Sequence, residues 1–111
     1  MTSSMRAVVV RQPGPPEVLT IRDVPVPSPA DGQALIRVMA FGLNRSELHF
    51  RRGLAYSGSF PRVPGIEATG IVEAAPGGEF DPGTQVVTMM GGMGRDFDGA
   101  TPNSSSYLPR R

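Results

Sequence analysis

The 111-residue sequence contains no cysteine, no lysine and only one histidine. Without cysteine the chain forms no disulfide and carries no thiolate for nucleophilic chemistry or metal binding. Its eleven basic residues are all arginines, scattered apart from the pairs Arg51-Arg52 and Arg110-Arg111, and the formal net charge is +1. Such a charge creates no field that would attract nucleic acid or a membrane surface, so we expect neither as a partner.

Long apolar runs are also missing from the sequence. No stretch approaches the roughly 20 apolar residues that a membrane-spanning helix needs. The first residues, Met1-Thr-Ser-Ser, show no apolar run like that of a signal peptide. We therefore expect a cytoplasmic protein. The length suits one domain with a modest core, because a domain of this size buries only about two-thirds of the surface of its unfolded chain.

Glycine and proline, by contrast, are abundant, with 14 and 12 residues respectively, and they separate short apolar runs. This pattern predicts many short strands joined by tight turns. A spacing of about ten residues between strands favours a β-sandwich or partly open barrel over alternating strands and helices. The predicted strands span residues 5–11, 18–24, 33–41, 68–75 and 84–89.

The stretch from Gly42 to Glu73 differs from the rest because its polar groups lie on irregular backbone between predicted strands. Asn44 is placed to cap a helix, and Glu47 follows three residues later, as in a capping box. The sequence predicts a short helix over residues 45–51 and a Pro64-Gly65 corner before the next strand. Functional residues tend to lie on such connecting segments.

Five motifs occur in a fixed order along the chain: M-R-A-V-V-V, V-P-V-P-S-P, G-L-N-R-S-E, F-P-R-V-P-G-I-E-A-T-G-I-V-E and F-D-P-G-T-Q-V-V-T. Together they resemble the N-terminal GroES-like domain of medium-chain dehydrogenase/reductases, most closely the zinc-less, zeta-crystallin-like quinone oxidoreductase branch. The resemblance implies a mainly β fold, a GroES-like partly open β-barrel with one short helix, over residues 5–99. Residues 1–4 are expected to be a disordered N-terminus.

The resemblance also implies an enzyme of two domains. A Rossmann domain, which these residues do not include, would bind NADPH, and the GroES-like domain would form one wall of the cleft. The implied reaction is hydride transfer to a quinone or an α,β-unsaturated carbonyl. We expect the chain alone to bind no cofactor and to be inactive, and we leave a homo-oligomer open. The alternative is a non-catalytic GroES-like binding or assembly module, and the fold by itself does not choose between them.

Asn44 matches the asparagine that lies near the nicotinamide and the substrate in zinc-less relatives. The resemblance makes it both the catalytic residue and a cofactor-binding residue. Its amide is suited to donate a hydrogen bond to a developing enolate or quinone oxygen. The alternative role is that of an N-cap for the following helix, and one asparagine is able to do both.

Two further residues carry expectations from the same resemblance. His49 occupies the position of a tyrosine that contacts cofactor or substrate in many quinone reductases; otherwise it is a surface residue. Glu67 matches a glutamate near the cleft and is expected to contact substrate. Its alternative role is structural, accepting hydrogen bonds from backbone amides or from Arg51 or Arg62, because a buried carboxylate must be paired.

A zinc site is not expected. Zinc-bearing relatives place a thiolate after the central strand and a histidine beside the glutamate of P-G-H-E. Here the segment Leu43-Asn44-Arg45 has no cysteine, and Ile66 takes the place of the histidine. Zinc prefers cysteine and histidine donors in a tetrahedral set, which this sequence does not provide.

The family pattern breaks after Gly99. Relatives continue with a segment close to G-G-Y-A-E-[FY]-V-V-x-P, whereas this chain reads D-G-A-T-P-N-S-S-S-Y-L-P-R-R. The codons of Ala100 to Ser104, read one frame over, are able to spell Tyr-Ala-Glu-Phe. We therefore interpret residues 100–111 as a tail outside the family, produced by a single-base deletion. The barrel is then expected to lack its last strand and to expose an unpaired edge.

Overall fold

The computed structural model describes residues 4–55 and 58–99 with their side chains, and the backbone of residues 105–109. Over this part of the chain the fold is mainly β with one α-helix, as predicted. No helix in the described ranges is long and apolar enough to cross a membrane. The elements are β1 (Ser4–Val10), a 3₁₀ turn (Pro16–Val18), β2 (Leu19–Pro25), β3 (Gln33–Phe41), α1 (Arg45–Arg51), β4 (Glu67–Ala74), β5 (Gln85–Met89) and β6 (Ser105–Pro109).

The predicted boundaries agree closely with these elements. β3 and α1 begin and end as predicted, β1, β2 and β4 are each shifted by one residue at both ends, and β5 begins one residue later than predicted. Ser4 pairs with Pro25, so the expected disordered N-terminus does not include Ser4. Residues 1–3 lie outside the described residues. The 3₁₀ turn was not predicted, although Pro16 at its start suits the first position of a helical turn.

The strands form two open sheets, which do not close into a barrel over the described residues. One sheet is the antiparallel pair β1-β2, and the other has the order β5-β4-β3-β6 with antiparallel neighbours. Ile36 of β3 and Val72 of β4 are register partners and almost fully buried. A further cluster joins Ala7 and Val9 of β1 to Val63, on the segment that leads into β4. The connection between α1 and β4 therefore contributes Val63 to the core.

The edge of β3 that was expected to be unpaired has a partner strand. The backbone of β6 runs antiparallel to β3, with a register from Gln33↔Pro109 to Arg37↔Ser105. An edge strand offers free N–H and C=O groups to any extended segment. The pairing of β6 with β3 therefore does not require that the tail have the sequence found in the family. That residues 100–111 are out of frame stays a prediction, and residues 100–104 and 110–111 lie outside the described residues.

Helix α1 is held at both ends by arginines. The buried Arg51 donates through Nη1 to the carbonyl oxygen of Gly14 at 2.8 Å, and the Gly14 N–H donates back to the Arg51 carbonyl at 2.9 Å. Near the other end, Arg95 donates to the Ser46 hydroxyl, and its guanidinium lies 5.8 Å from the centre of the Phe50 ring. These contacts fix the direction in which the N-terminus of α1 points.

The close pairing of β3 and β4 is tested by Gly70→Ala. A Cβ at Gly70 would lie 2.2 Å from the backbone oxygen of Arg37, which a paired strand cannot move aside cheaply. We expect the free energy of unfolding, measured in urea, to fall by roughly 1–3 kcal/mol. The control is Gly77→Ala, whose Cβ meets only the exposed, flexible Glu79 carboxylate. Equal stabilities of the two variants would contradict the register.

The neighbouring arginines test the anchor of α1. Arg51→Ala removes a buried donor to a backbone carbonyl, so we expect a loss of roughly 1.5–3 kcal/mol in unfolding free energy. Arg52→Ala serves as the control because Arg52 is exposed. Thermal and urea unfolding measure both variants. If Arg52→Ala destabilises the protein as much as Arg51→Ala, the anchor is assigned to the wrong arginine.

Candidate functional site

An open pocket of about 350 Å³ lies where β3, β4 and β5 come together at one end of the larger sheet. Two of its apolar lining residues, Val87 and Met89 of β5, expose 73% and 59% of their surface. Exposed apolar side chains in a group usually mark a surface that binds something. The lining residues are Ala40, Phe41, Gly42, Glu67, Ala68, Thr69, Val87, Thr88 and Met89.

Glu67 is the charged residue among those that line this pocket, and its carboxylate accepts a hydrogen bond from Asn44. The Nδ2 atom of Asn44 donates to Oε1 of Glu67 at 3.3 Å, and both residues are half-buried. Asn44 is not itself among the residues that line the pocket. The structure therefore brings together two of the predicted site residues, and Asn44 reaches the pocket through Glu67.

Glu47 connects the helix to the strand that carries Glu67. Its Oε2 atom accepts from the backbone N–H of Asn44 at 2.9 Å, which is the glutamate half of a capping box. The predicted N-cap position of Asn44 and the glutamate half of the capping box are thus confirmed. Its Oε1 atom accepts from the backbone N–H of Ile66 at 3.3 Å. This second contact was not predicted, because spacing along the helix says nothing about the strand that lies opposite.

Gly42 provides the space that the Glu67 carboxylate occupies. A Cβ built on Gly42 would lie 1.7 Å from Oε1 of Glu67 and 2.8 Å from its Cδ. Any other residue at position 42 would therefore displace the carboxylate. The sequence shows this glycine only as the end of a strand, and no local pattern could have revealed its contact with a residue 25 positions later.

The arginines expected to pair with Glu67 have other partners. Arg51 makes the carbonyl contact that anchors α1. Arg62 lies 3.4 Å from the carboxylate of Asp98 and also donates to the hydroxyl of Ser59 at 3.0 Å. Neither of the two arginines named in the structural alternative is therefore the partner of Glu67, which instead accepts from the Asn44 side chain. Since Glu67 is only half-buried, a neutral amide on one side and solvent on the other satisfy its charge.

His49 lies apart from this arrangement. It is exposed on α1 and does not line the pocket, and its backbone carbonyl accepts from the N–H of Leu54 at 2.9 Å. Its assignment to cofactor or substrate stays a prediction. The structure thus groups Asn44 and Glu67 and leaves His49 on the outer surface of the helix.

The residues around the pocket do not fit a zinc ion. Over the described residues there is no group of three histidine, cysteine, aspartate or glutamate side chains that could hold a metal. The residues at the two positions that hold zinc in zinc-bearing relatives also lack metal ligands, because Ile66 offers no donor atom and the sequence has no cysteine.

Comparisons with known proteins place this geometry in a family. Residues 30–104 match the alcohol dehydrogenase GroES-like domain. Quinone oxidoreductase from Pongo abelii is 44% identical over 89 residues, which cover 76% of this chain and 27% of that protein.

Two solved structures share the fold. A structure titled as an NAD-dependent alcohol dehydrogenase has a TM-score of 0.82 at 32% identity, covering 95% of this chain and 37% of that one. The quinone oxidoreductase from Coxiella burnetii has a TM-score of 0.80 at 26% identity, covering 96% and 34%. The chain therefore spans between 27% and 37% of the length of these three proteins.

The family match covers more than half of the chain and includes β3, α1, β4 and β5, the elements that build the pocket. The fold of the chain also agrees with the two solved structures, which are 32% and 26% identical to it. The chain belongs to the alcohol dehydrogenase GroES-like domain family, the domain of medium-chain dehydrogenase/reductases that its sequence motifs resemble.

Proposed function

We propose that this chain is the N-terminal substrate-cleft domain of an NADPH-dependent oxidoreductase that reduces a quinone or an α,β-unsaturated carbonyl. The observation that carries the proposal is the bonded pair of Asn44 and Glu67 beside an open apolar pocket. The similarity to quinone oxidoreductases supports the substrate class. NADPH would supply the hydride, and the residues of this chain would orient the substrate and polarise its oxygen.

The shape and surface of the pocket support a flat, mostly apolar ligand. It is lined by strand residues that include Ala40, Thr69, Val87 and Met89. Covering these exposed side chains with a quinone or nicotinamide ring removes apolar surface from water, which is favourable. Since the pocket is open, a second domain is needed to enclose the ligand. We therefore propose that the chain alone holds no cofactor and is inactive.

Asn44 is proposed as the residue that meets the substrate oxygen. Its Nδ2 atom carries two hydrogens, and the hydrogen bond to Glu67 uses one of them. The second hydrogen is proposed to donate to a carbonyl oxygen as negative charge develops there. No zinc takes part in this proposal, in line with the donor set. His49 is proposed to contact cofactor or substrate only where the second domain covers the outer surface of α1.

The proposal is tested by following nicotinamide absorbance with the purified chain and with the chain joined to the nucleotide-binding domain of a quinone oxidoreductase. We expect no turnover of NADPH and quinone by the chain alone and measurable turnover by the joined protein. Turnover by the 111-residue chain alone would contradict the proposed division of labour. Ordered oligomers in light scattering, with no turnover in either form, would favour the non-catalytic assembly module.

Substitutions of Asn44 separate its chemical role from its capping role. Asn44→Ser keeps an oxygen that is able to cap α1 but removes the amide donor. In the joined protein we expect kcat to fall by roughly 10²–10³-fold, as for loss of one placed oxyanion donor. The midpoint of thermal unfolding should stay near that of the unsubstituted protein. The control is Ser28→Ala, an exposed change far from the pocket in sequence. Unchanged kcat in Asn44→Ser would remove Asn44 from the mechanism.

A further inference from the structure

We propose that Glu67 is a positioning residue for the carboxamide of Asn44 and that Gly42 is present to make room for it. The inference deepens the proposed function. It rests on that function only because it takes Asn44 as the group that faces the ligand. The hydrogen bond between the two side chains is a property of the chain itself. It is therefore measurable without cofactor, substrate or a second domain.

The chemistry of the two groups determines which way the Asn44 amide points. An asparagine side chain has a donor at Nδ2 and an acceptor at Oδ1, and a half-turn of the amide exchanges them. An ionised carboxylate only accepts hydrogen bonds. With Oε1 of Glu67 at 3.3 Å, the orientation that turns Nδ2 toward Glu67 is stabilised. The reversed orientation would set two acceptors against each other.

The position of the carboxylate depends on the missing side chain at Gly42. Gly42 is not among the glycines with positive φ, so its backbone conformation is open to other residues. A side chain here would instead displace the carboxylate, because a Cβ would lie 1.7 Å from Oε1 of Glu67 and 3.2 Å from its Cγ. Glycine at position 42 is thus explained by the approach of Glu67 rather than by a turn.

The backbones at the two ends of this hydrogen bond are tied together. Glu47 accepts from the N–H of Asn44 with one oxygen and from the N–H of Ile66, the neighbour of Glu67, with the other. The distance between the two backbones is therefore held by a carboxylate other than that of Glu67. A general structural role is filled by Glu47, which leaves Glu67 the narrower role of orienting one amide.

The Asn44 side-chain amide gives a direct signal in nitrogen–proton correlation NMR spectra of the full 111-residue chain, assigned by its loss in Asn44→Ser. An amide proton donated to a carboxylate is displaced downfield. We expect Glu67→Met, which is similar in length but has no acceptor, to abolish this displacement. Glu67→Gln, which keeps a neutral acceptor, should restore part of it.

Gly42→Ala provides the second arm of the test, because it pushes the carboxylate aside without removing it. We expect the Asn44 signal to move toward its position in Glu67→Met. The matched control is Gly77→Ala, which also places a Cβ against a glutamate oxygen, that of Glu79, at 2.4 Å on the exposed turn. It should leave the Asn44 signal unchanged.

The outcomes decide the proposal either way. If Glu67→Met and Gly42→Ala both leave the Asn44 amide signal in place, the positioning role is overturned. If Gly42→Ala fails to fold, the graded series of Glu67→Gln and Glu67→Met still decides. If the joined protein does not turn over quinone but the Asn44 amide signal is still displaced downfield, the proposed function is rejected and the positioning role of Glu67 is retained.

Discussion

The carboxylate of Glu47, shared between two backbone amides, is the interaction on which the site depends. One amide belongs to the residue that caps α1 and the other to the residue before β4. Both lie just beyond the paired ends of β3 and β4, where the register joins Phe41 to Ala68, and Glu47 extends this connection into the irregular backbone. A half-buried carboxylate that accepts two backbone donors satisfies groups that would otherwise be costly to bury. It therefore joins two loops into one fixed unit.

The side chains of the site follow from that fixed unit. Because the start of α1 and the start of β4 are held together, Asn44 and Glu67 are within hydrogen-bonding distance, and Gly42 leaves space between them. Arg51 and Arg95 stabilise the helix from its two ends. The result is a hydrogen-bonded group of polar side chains beside an apolar, open surface. A wall of this kind binds a ring well only when another surface covers it.

Local signals in the sequence predicted the elements well. The alternation of residues 33–41 and the Asn44–Glu47 capping pattern are complete within a few residues, so the bounds of β3 and α1 could be read directly. Asn44 was also placed correctly as a cap. These features depend on residues that are neighbours in the chain, and for that reason the sequence alone is sufficient to predict them.

The features that escaped the sequence all depend on distant partners. The contact of Glu47 with Ile66, the fit of Glu67 against Gly42 and the pairing of β6 with β3 join segments that only the fold brings together. The structural alternative for Glu67 named backbone amides or an arginine as donors, because a buried carboxylate must be paired. Its partial exposure makes an amide sufficient, and degree of exposure is a tertiary property.

The central claim is that this domain forms one wall of a cleft over a nicotinamide ring. A crystal structure of the chain joined to a nucleotide-binding domain, with NADPH bound, measures this directly. The account predicts the nicotinamide ring against the pocket lined by Gly42, Glu67 and Val87, with the Asn44 amide on the same side. A ring bound elsewhere, with this pocket open to solvent, would contradict it.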